Sequence, residues 1–117
     1  MKLTNRSELE KRIIRAEALG QKWAEAAEAF YQLDETKKSV LADLMKDLDD
    51  GELSESKLER MARGQKEWKE HIQHLAVAKG EMLRAQVKYE AAVSWYEAAR
   101  TTESTNRVKM QVLRDVP

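Results

Sequence analysis

Leu75, Ala78, Met82, Ala85, Tyr89, Ala92, Tyr96 and Ala99 follow one another at alternating steps of three and four. That spacing lines side chains along one side of a helix and is the seam pattern of a coiled coil. The row has a second level. Each large residue is followed by an alanine, so Ala78, Ala85, Ala92 and Ala99 recur every seven positions. An alanine at one of the two seam positions lets a partner backbone approach closely, while the large residue fills the flank. A matching row runs through the first half of the chain: Leu9, Ile13, Ala16, Gly20, Trp23, Ala27 and Phe30, then Leu41, Leu44 and Leu48. Between them the pattern weakens at Asp34 and Lys37, where Leu33 and Val40 predict a drift of the stripe. A straight helix drifts against a seven-residue repeat in this way, so the helix need not end there.

Punctuation residues then divide the chain. Ser7 with Glu10 three residues on forms a capping box, which predicts a helix start near Ser7. Asp49, Asp50 and Gly51 predict its stop, with Gly51 suited to the left-handed conformation that ends helices. Ser56 and Glu59 offer a second capping box for a short segment over 53–63, and Gly64 marks a bend before the last helix. The reading is all-α in a single domain: a helix over about 7–48, a linker with a short helix over about 49–64, and a helix over about 65–100 or beyond. Positions 101–106 (Thr, Thr, Glu, Ser, Thr, Asn) are poor helix formers and leave two outcomes open. Either the tail frays there, or the helix continues and Met110 and Leu113 rejoin the seam. Two helices of this length on a short linker pack as a long antiparallel, coiled-coil-like hairpin, each about 60 Å long at ~1.5 Å per residue.

Composition supports this shape and narrows the setting. Of 117 residues 36% are charged, with one proline and four glycines, the mix of long helices. The absence of cysteine excludes disulfides and thiolate metal sites and agrees with a reducing cytoplasm. The apolar runs are far short of the roughly 20 residues that cross a bilayer, and the start Met1, Lys2, Leu3, Thr4, Asn5, Arg6 lacks a signal peptide's apolar core. A soluble cytoplasmic protein without membrane attachment is expected.

Net charge is zero but unevenly spread. Residues 1–15 carry +3, residues 100–117 carry +2, and residues 43–59 carry −5. In an antiparallel hairpin the two basic stretches share one end and the acidic linker forms the other. Apolar residues off the seam (Ile14, Tyr31, Ile72, Leu83, Val93, Trp95) exceed what one partner helix covers, which predicts a homo-oligomer, dimer or tetramer.

Candidate chemistry is sparse. Glu67, His71 and His74 share a helix face and have metal-ligand spacing. His71 also falls on the seam beside Trp68 and Leu75, where an imidazole packs or hydrogen-bonds, and that reading is preferred. The Glu-x-x-His pairs of a di-iron bundle are missing, as are a nucleophile constellation and a phosphate-binding glycine loop. No catalytic residue, metal, cofactor or small-molecule substrate is therefore expected. Trp68, Tyr89, Trp95 and Tyr96 could stack on single-stranded bases, but Tyr89 and Tyr96 are absorbed by the seam and core packing is the preferred reading. Trp95 neighbours the seam without belonging to it and, with Ala78, Ala85, Ala92 and Ala99, is a candidate interface residue. The basic end offers Arg12, Arg15, Arg100, Arg107, Lys109 and Arg114, with polar Thr and Ser between them, as candidate contacts to nucleic-acid phosphates or to a protein partner. The competing reading is a solvated face whose charges pair along the helix.

Two stretches carry a resemblance. One runs from Leu9 through Glu10, Lys11, Arg12, Ile13, Ile14, Arg15, Ala16 and Glu17 to Trp23. The other covers Tyr89, Glu90, Ala91, Ala92, Val93, Ser94, Trp95, Tyr96, Glu97, Ala98, Ala99 and Arg100, with Glu103, Ser104, Thr105, Asn106, Arg107 and Met110 beyond. Over about a third of the chain these resemble small helical proteins from the early, recombination-gene regions of tailed phages. The resemblance implies a phage origin and a non-enzymatic role in DNA metabolism or host takeover. Three functions follow as expectations: an accessory protein that self-associates and presents its basic end to DNA or a recombination protein, an inhibitor that occludes a host enzyme or defence complex, and a purely structural coiled-coil module.

Overall fold

A computed structural model describes residues 5–115. Positions 1–4, with Lys2 and the expectation of no signal peptide, lie outside them. The described chain is all-α: α1 spans Asn5–Leu48, α2 spans Glu55–Arg63 and α3 spans Lys66–Asp115, an antiparallel helical hairpin with a short helix in the connection. It forms two compact units, one of residues up to Trp23 with those from Arg84 onwards, the other Ala24–Leu83.

In the first unit, the start of α1 pairs with the second half of α3. The antiparallel register is read from two contacts: Arg12 reaches Trp95, and Gly20 meets Tyr89. A Cβ on Gly20 would stand 2.9 Å from Tyr89 Cε1, so the glycine is what admits the ring. Tyr89 is also held on its α1 side by Trp23, with ring centroids 5.4 Å apart. Ala92 is buried in the same seam, and Ala85 and Ala99 are half-buried. Along α3 the predicted positions from Leu75 to Ala99 all turn inward. On α1 one does not: Ile13 is 37% exposed, while Arg12, beside it, takes the inner place. The period of a straight helix moves the stripe by a fraction of a residue per turn, enough to exchange the two.

The second unit packs the rest of α1 against α2 and the start of α3. Leu58 and Ala62, one turn apart on α2, are buried with Trp68 and Ala78 of α3. The weak stretch of the α1 pattern is continuous helix. Asp34 and Lys37 are half-buried and paired at 3.6 Å, and Leu33, Val40 and Leu41 carry the stripe past them. Gly51 has φ +86° after the end of α1, as predicted. The turn is tightened by Asp49 and Asp50, whose carboxylates accept from the backbone N–H groups of Gly51 and Glu52, each at 2.9 Å.

Two boundaries differ from expectation, and a third decides between the two outcomes left open for positions 101–106. Helix α1 is already formed at Asn5, so Ser7 lies inside its first turn and is not the cap. The cap of α2 is Ser54, whose Oγ accepts from the Lys57 N–H at 3.3 Å; Ser56 is helical. Helix α3 runs unbroken through 101–106 to Asp115. Thr102 donates its hydroxyl back to the Ala98 carbonyl at 3.0 Å, so this hydroxyl does not compete for the backbone elsewhere. The seam is nevertheless uncovered beyond Glu103: every residue from Ser104 to Asp115 is exposed, with Met110 at 59% and Leu113 at 69%.

Candidate nucleic-acid interface around Trp95

Arg12 of α1 and Trp95 of α3 are in contact within the first unit. The Arg12 guanidinium lies 4.3 Å from the centroid of the Trp95 ring, and one of its terminal nitrogens donates to the Trp95 carbonyl oxygen at 3.0 Å. A cation is thus tied to the backbone of the residue whose ring it covers. Trp95 as a residue remains 56% exposed. Arg12 Nε stands 3.7 Å from Glu8 Oε1, an ion pair too long to be a hydrogen bond. That nitrogen and Glu103 Oε2 are both buried without a hydrogen bond.

Trp95 lines two clefts. One, of about 400 Å³, is walled by Glu8, Arg12, Thr102, Glu103 and Asn106, a mixture of charges. The other, of about 320 Å³, has Leu19, Ala91 and Ala92 as its apolar floor and Arg15 and Lys88 as its charged lining. No acidic residue borders the second cleft. Among the described residues neither Arg15 nor Lys88 takes part in an ion pair.

The remaining candidates stand on α3. Arg100, Arg107 and Arg114 are exposed and, on one continuous helix, recur every seven residues on the same side, about 10 Å apart at ~1.5 Å per residue. Lys109 is exposed on the opposite flank of the seam. Arg12 differs from the other candidates because its guanidinium is already committed to Trp95. Ala78 and Ala92 are buried and Ala85 and Ala99 half-buried along the chain's own seam, with Ala92 and Ala99 also reaching the two clefts beside Trp95. Of the off-seam apolar residues, Val93 is half-buried, whereas Ile14, Tyr31, Ile72, Leu83 and Trp95 are exposed.

Charge follows the two units. Segments 1–23 and 84–117 hold twelve basic and seven acidic side chains, a net +5, against nine and fourteen in 24–83, a net −5. The second unit has its own basic cleft, of about 260 Å³, where Lys37, Lys38 and Arg63 surround Leu41, Trp68 and Ile72. There the cations are largely engaged: Lys37 pairs with Asp34, and Arg63 binds Glu59 at 2.9 Å while lying over Trp68. His71 is similarly committed. Its Nε2 is 3.0 Å from the Leu33 carbonyl oxygen, which can only accept, so this nitrogen carries the proton and is closed to a metal. Among the described residues no three acidic or histidine side chains gather around a metal position. No described helix is long and apolar enough to cross a membrane.

Sequence reasoning singled out Trp95 and Arg15 but missed Lys88 and Leu19. Leu19 enters through the register between α1 and α3, which no local pattern carries, whereas Lys88 stands on the helix of Trp95 itself, seven residues before it. Comparison with known protein families, curated proteins and solved structures finds no match to the chain.

Proposed function

We propose that this chain is a non-enzymatic interaction protein that binds nucleic acid with the basic face of its first unit and self-associates through its exposed apolar side chains. One observation carries the reading: Arg100, Arg107 and Arg114 stand in line on an unbroken helix, in a unit of net charge +5. Phosphates attract such a row without any requirement for sequence, and their neutralisation releases counterions. Replacing all three arginines by glutamate tests it. All three arginines are exposed, so helix content should hold while affinity for DNA at low salt falls at least about tenfold. Unchanged binding in that variant would overturn the role given to the row.

A second reading is a protein partner, such as a host enzyme or defence complex blocked by occlusion. It is favoured by Val108, Met110, Val112 and Leu113, all exposed between the basic side chains of the same helix end. Recovery of one protein from a host lysate, unchanged by nuclease and with no DNA binding at low salt, would select it.

A further inference from the structure

We infer that the cleft between Trp95, Arg15 and Lys88 is a seat for one unstacked base and its phosphate, which makes the chain a reader of single-stranded nucleic acid rather than of duplex. The inference deepens the nucleic-acid reading above and rests on it. It starts from the state of the indole. Trp95 is exposed, with Arg12 lying on its ring at 4.3 Å and itself hydrogen-bonded to the Trp95 carbonyl at 3.0 Å. An aromatic ring that already has such a contact has less side-chain freedom to lose when something stacks on it. Arg12 borders the mixed cleft only, while Arg15 and Lys88 border the other cleft only, so the ring divides the two.

The second cleft then has the parts that a nucleotide needs and nothing that repels one. Leu19, Ala91 and Ala92 make a floor without polar groups, and small alanines keep it open to a flat ring. Two cations without ion-pair partners stand at its sides, one from each helix, with no carboxylate among the lining residues. Its volume of about 320 Å³ is at the lower end of the ~300–1,000 Å³ range of ligand clefts and suits one base rather than a large ligand. A base inside a duplex has both faces covered by its neighbours, so only an unpaired one can lie on Trp95. Aromatic stacking beside a positive groove binds single strands with little sequence preference. The arginine row on α3 can hold phosphates of either form, so the indole decides between them.

The test is a titration of the full chain with labelled oligothymidylate, duplex DNA of the same length and thymidine monophosphate at low salt, in three forms: wild type, Trp95→Leu and Trp95→Phe. Binding is read by anisotropy and by intrinsic tryptophan fluorescence, with circular dichroism to verify the fold. Trp68 is buried and Trp23 is half-buried against Tyr89, so contact quenching by a base reports chiefly on Trp95. Wild type should bind the single strand about tenfold tighter than duplex, with quenching. Trp95→Leu should lose that preference and the quenching while keeping its duplex affinity, and Trp95→Phe should retain much of the preference. Equal single-strand affinity in wild type and Trp95→Leu would overturn the inference and leave the basic-face reading standing. A mononucleotide bound as tightly as the oligomer would overturn it in favour of a free-nucleotide site. Absence of binding to any nucleic acid would remove the underlying reading itself.

Discussion

Gly20→Ala places a single methyl group where the packing of the first unit is tightest. In an open helix the change should stabilise, since alanine is favoured over glycine by about 1 kcal/mol. Here the new Cβ would stand 2.9 Å from Tyr89 Cε1 and 3.2 Å from Cδ1, closer than carbon atoms tolerate. The ring must move by several tenths of an ångström, and Trp23, at 5.4 Å between centroids, stands in contact with it. Overpacking of this kind costs about 1–3 kcal/mol. The cost exceeds the gain in helix propensity, so the net effect is destabilisation by about 1 kcal/mol, or about 4 °C in Tm for a chain of this size. The assay is urea unfolding followed by circular dichroism at one fixed protein concentration, because self-association would shift the midpoint by mass action. In a Tyr89→Ala background the same methyl meets no ring and should stabilise by about 1 kcal/mol, so the cycle should show coupling of about 2 kcal/mol. If Gly20→Ala raises stability in both backgrounds alike, the ring is not seated against Gly20 and the register assigned to α1 and α3 is wrong.

Other parts of the seam and its turns make independent predictions. Ala92→Leu should destabilise by about 1–3 kcal/mol, whereas Ala76→Leu on an exposed face of α3 should stay within about 0.5 kcal/mol; equal effects in thermal unfolding would mean that the alanine row does not pack. Ser54→Ala removes the acceptor for the Lys57 N–H and should cost about 1 kcal/mol, while Ser56→Ala should cost less than half of that; the reverse order would return the cap to Ser56. Gly51→Ala forces a Cβ into φ +86° and should cost about 1–2 kcal/mol, although nothing crowds the position, so a neutral result would show that the turn can rebuild itself.

The helices were legible because the α3 row alternates large and small residues without interruption, and an alternation that regular has one helical solution. Ile13 misled for the opposite reason. Arg12 and Ile13 are neighbours at the edge of the stripe, and the choice between them depends on helix period and on the Trp95 ring waiting across the seam. The caps misled because the capping-box rule rewards a glutamate at the third helical position. Ser56 has Glu59 there, but Ser54, with Lys57, is the residue in extended conformation that caps. Positions 101–106 looked breakable because propensity is a local quantity, and an uninterrupted helix on their N-terminal side extends them at the low cost of propagation. At the candidate site, Trp95 was conspicuous as an aromatic off the seam. Its setting was only partly so: Lys88 lies seven residues before it on the same helix, whereas Arg12, Arg15 and Leu19 come from α1, through the pairing of two segments distant in sequence.

The most direct measurement is the salt dependence of DNA binding by the intact chain, from about 50 to 200 mM salt. With three arginines of α3 on phosphates, the logarithm of affinity should fall linearly with the logarithm of salt concentration with a slope of about −2 to −3. A salt-independent affinity, or no binding at the lowest salt, would contradict the account of this face.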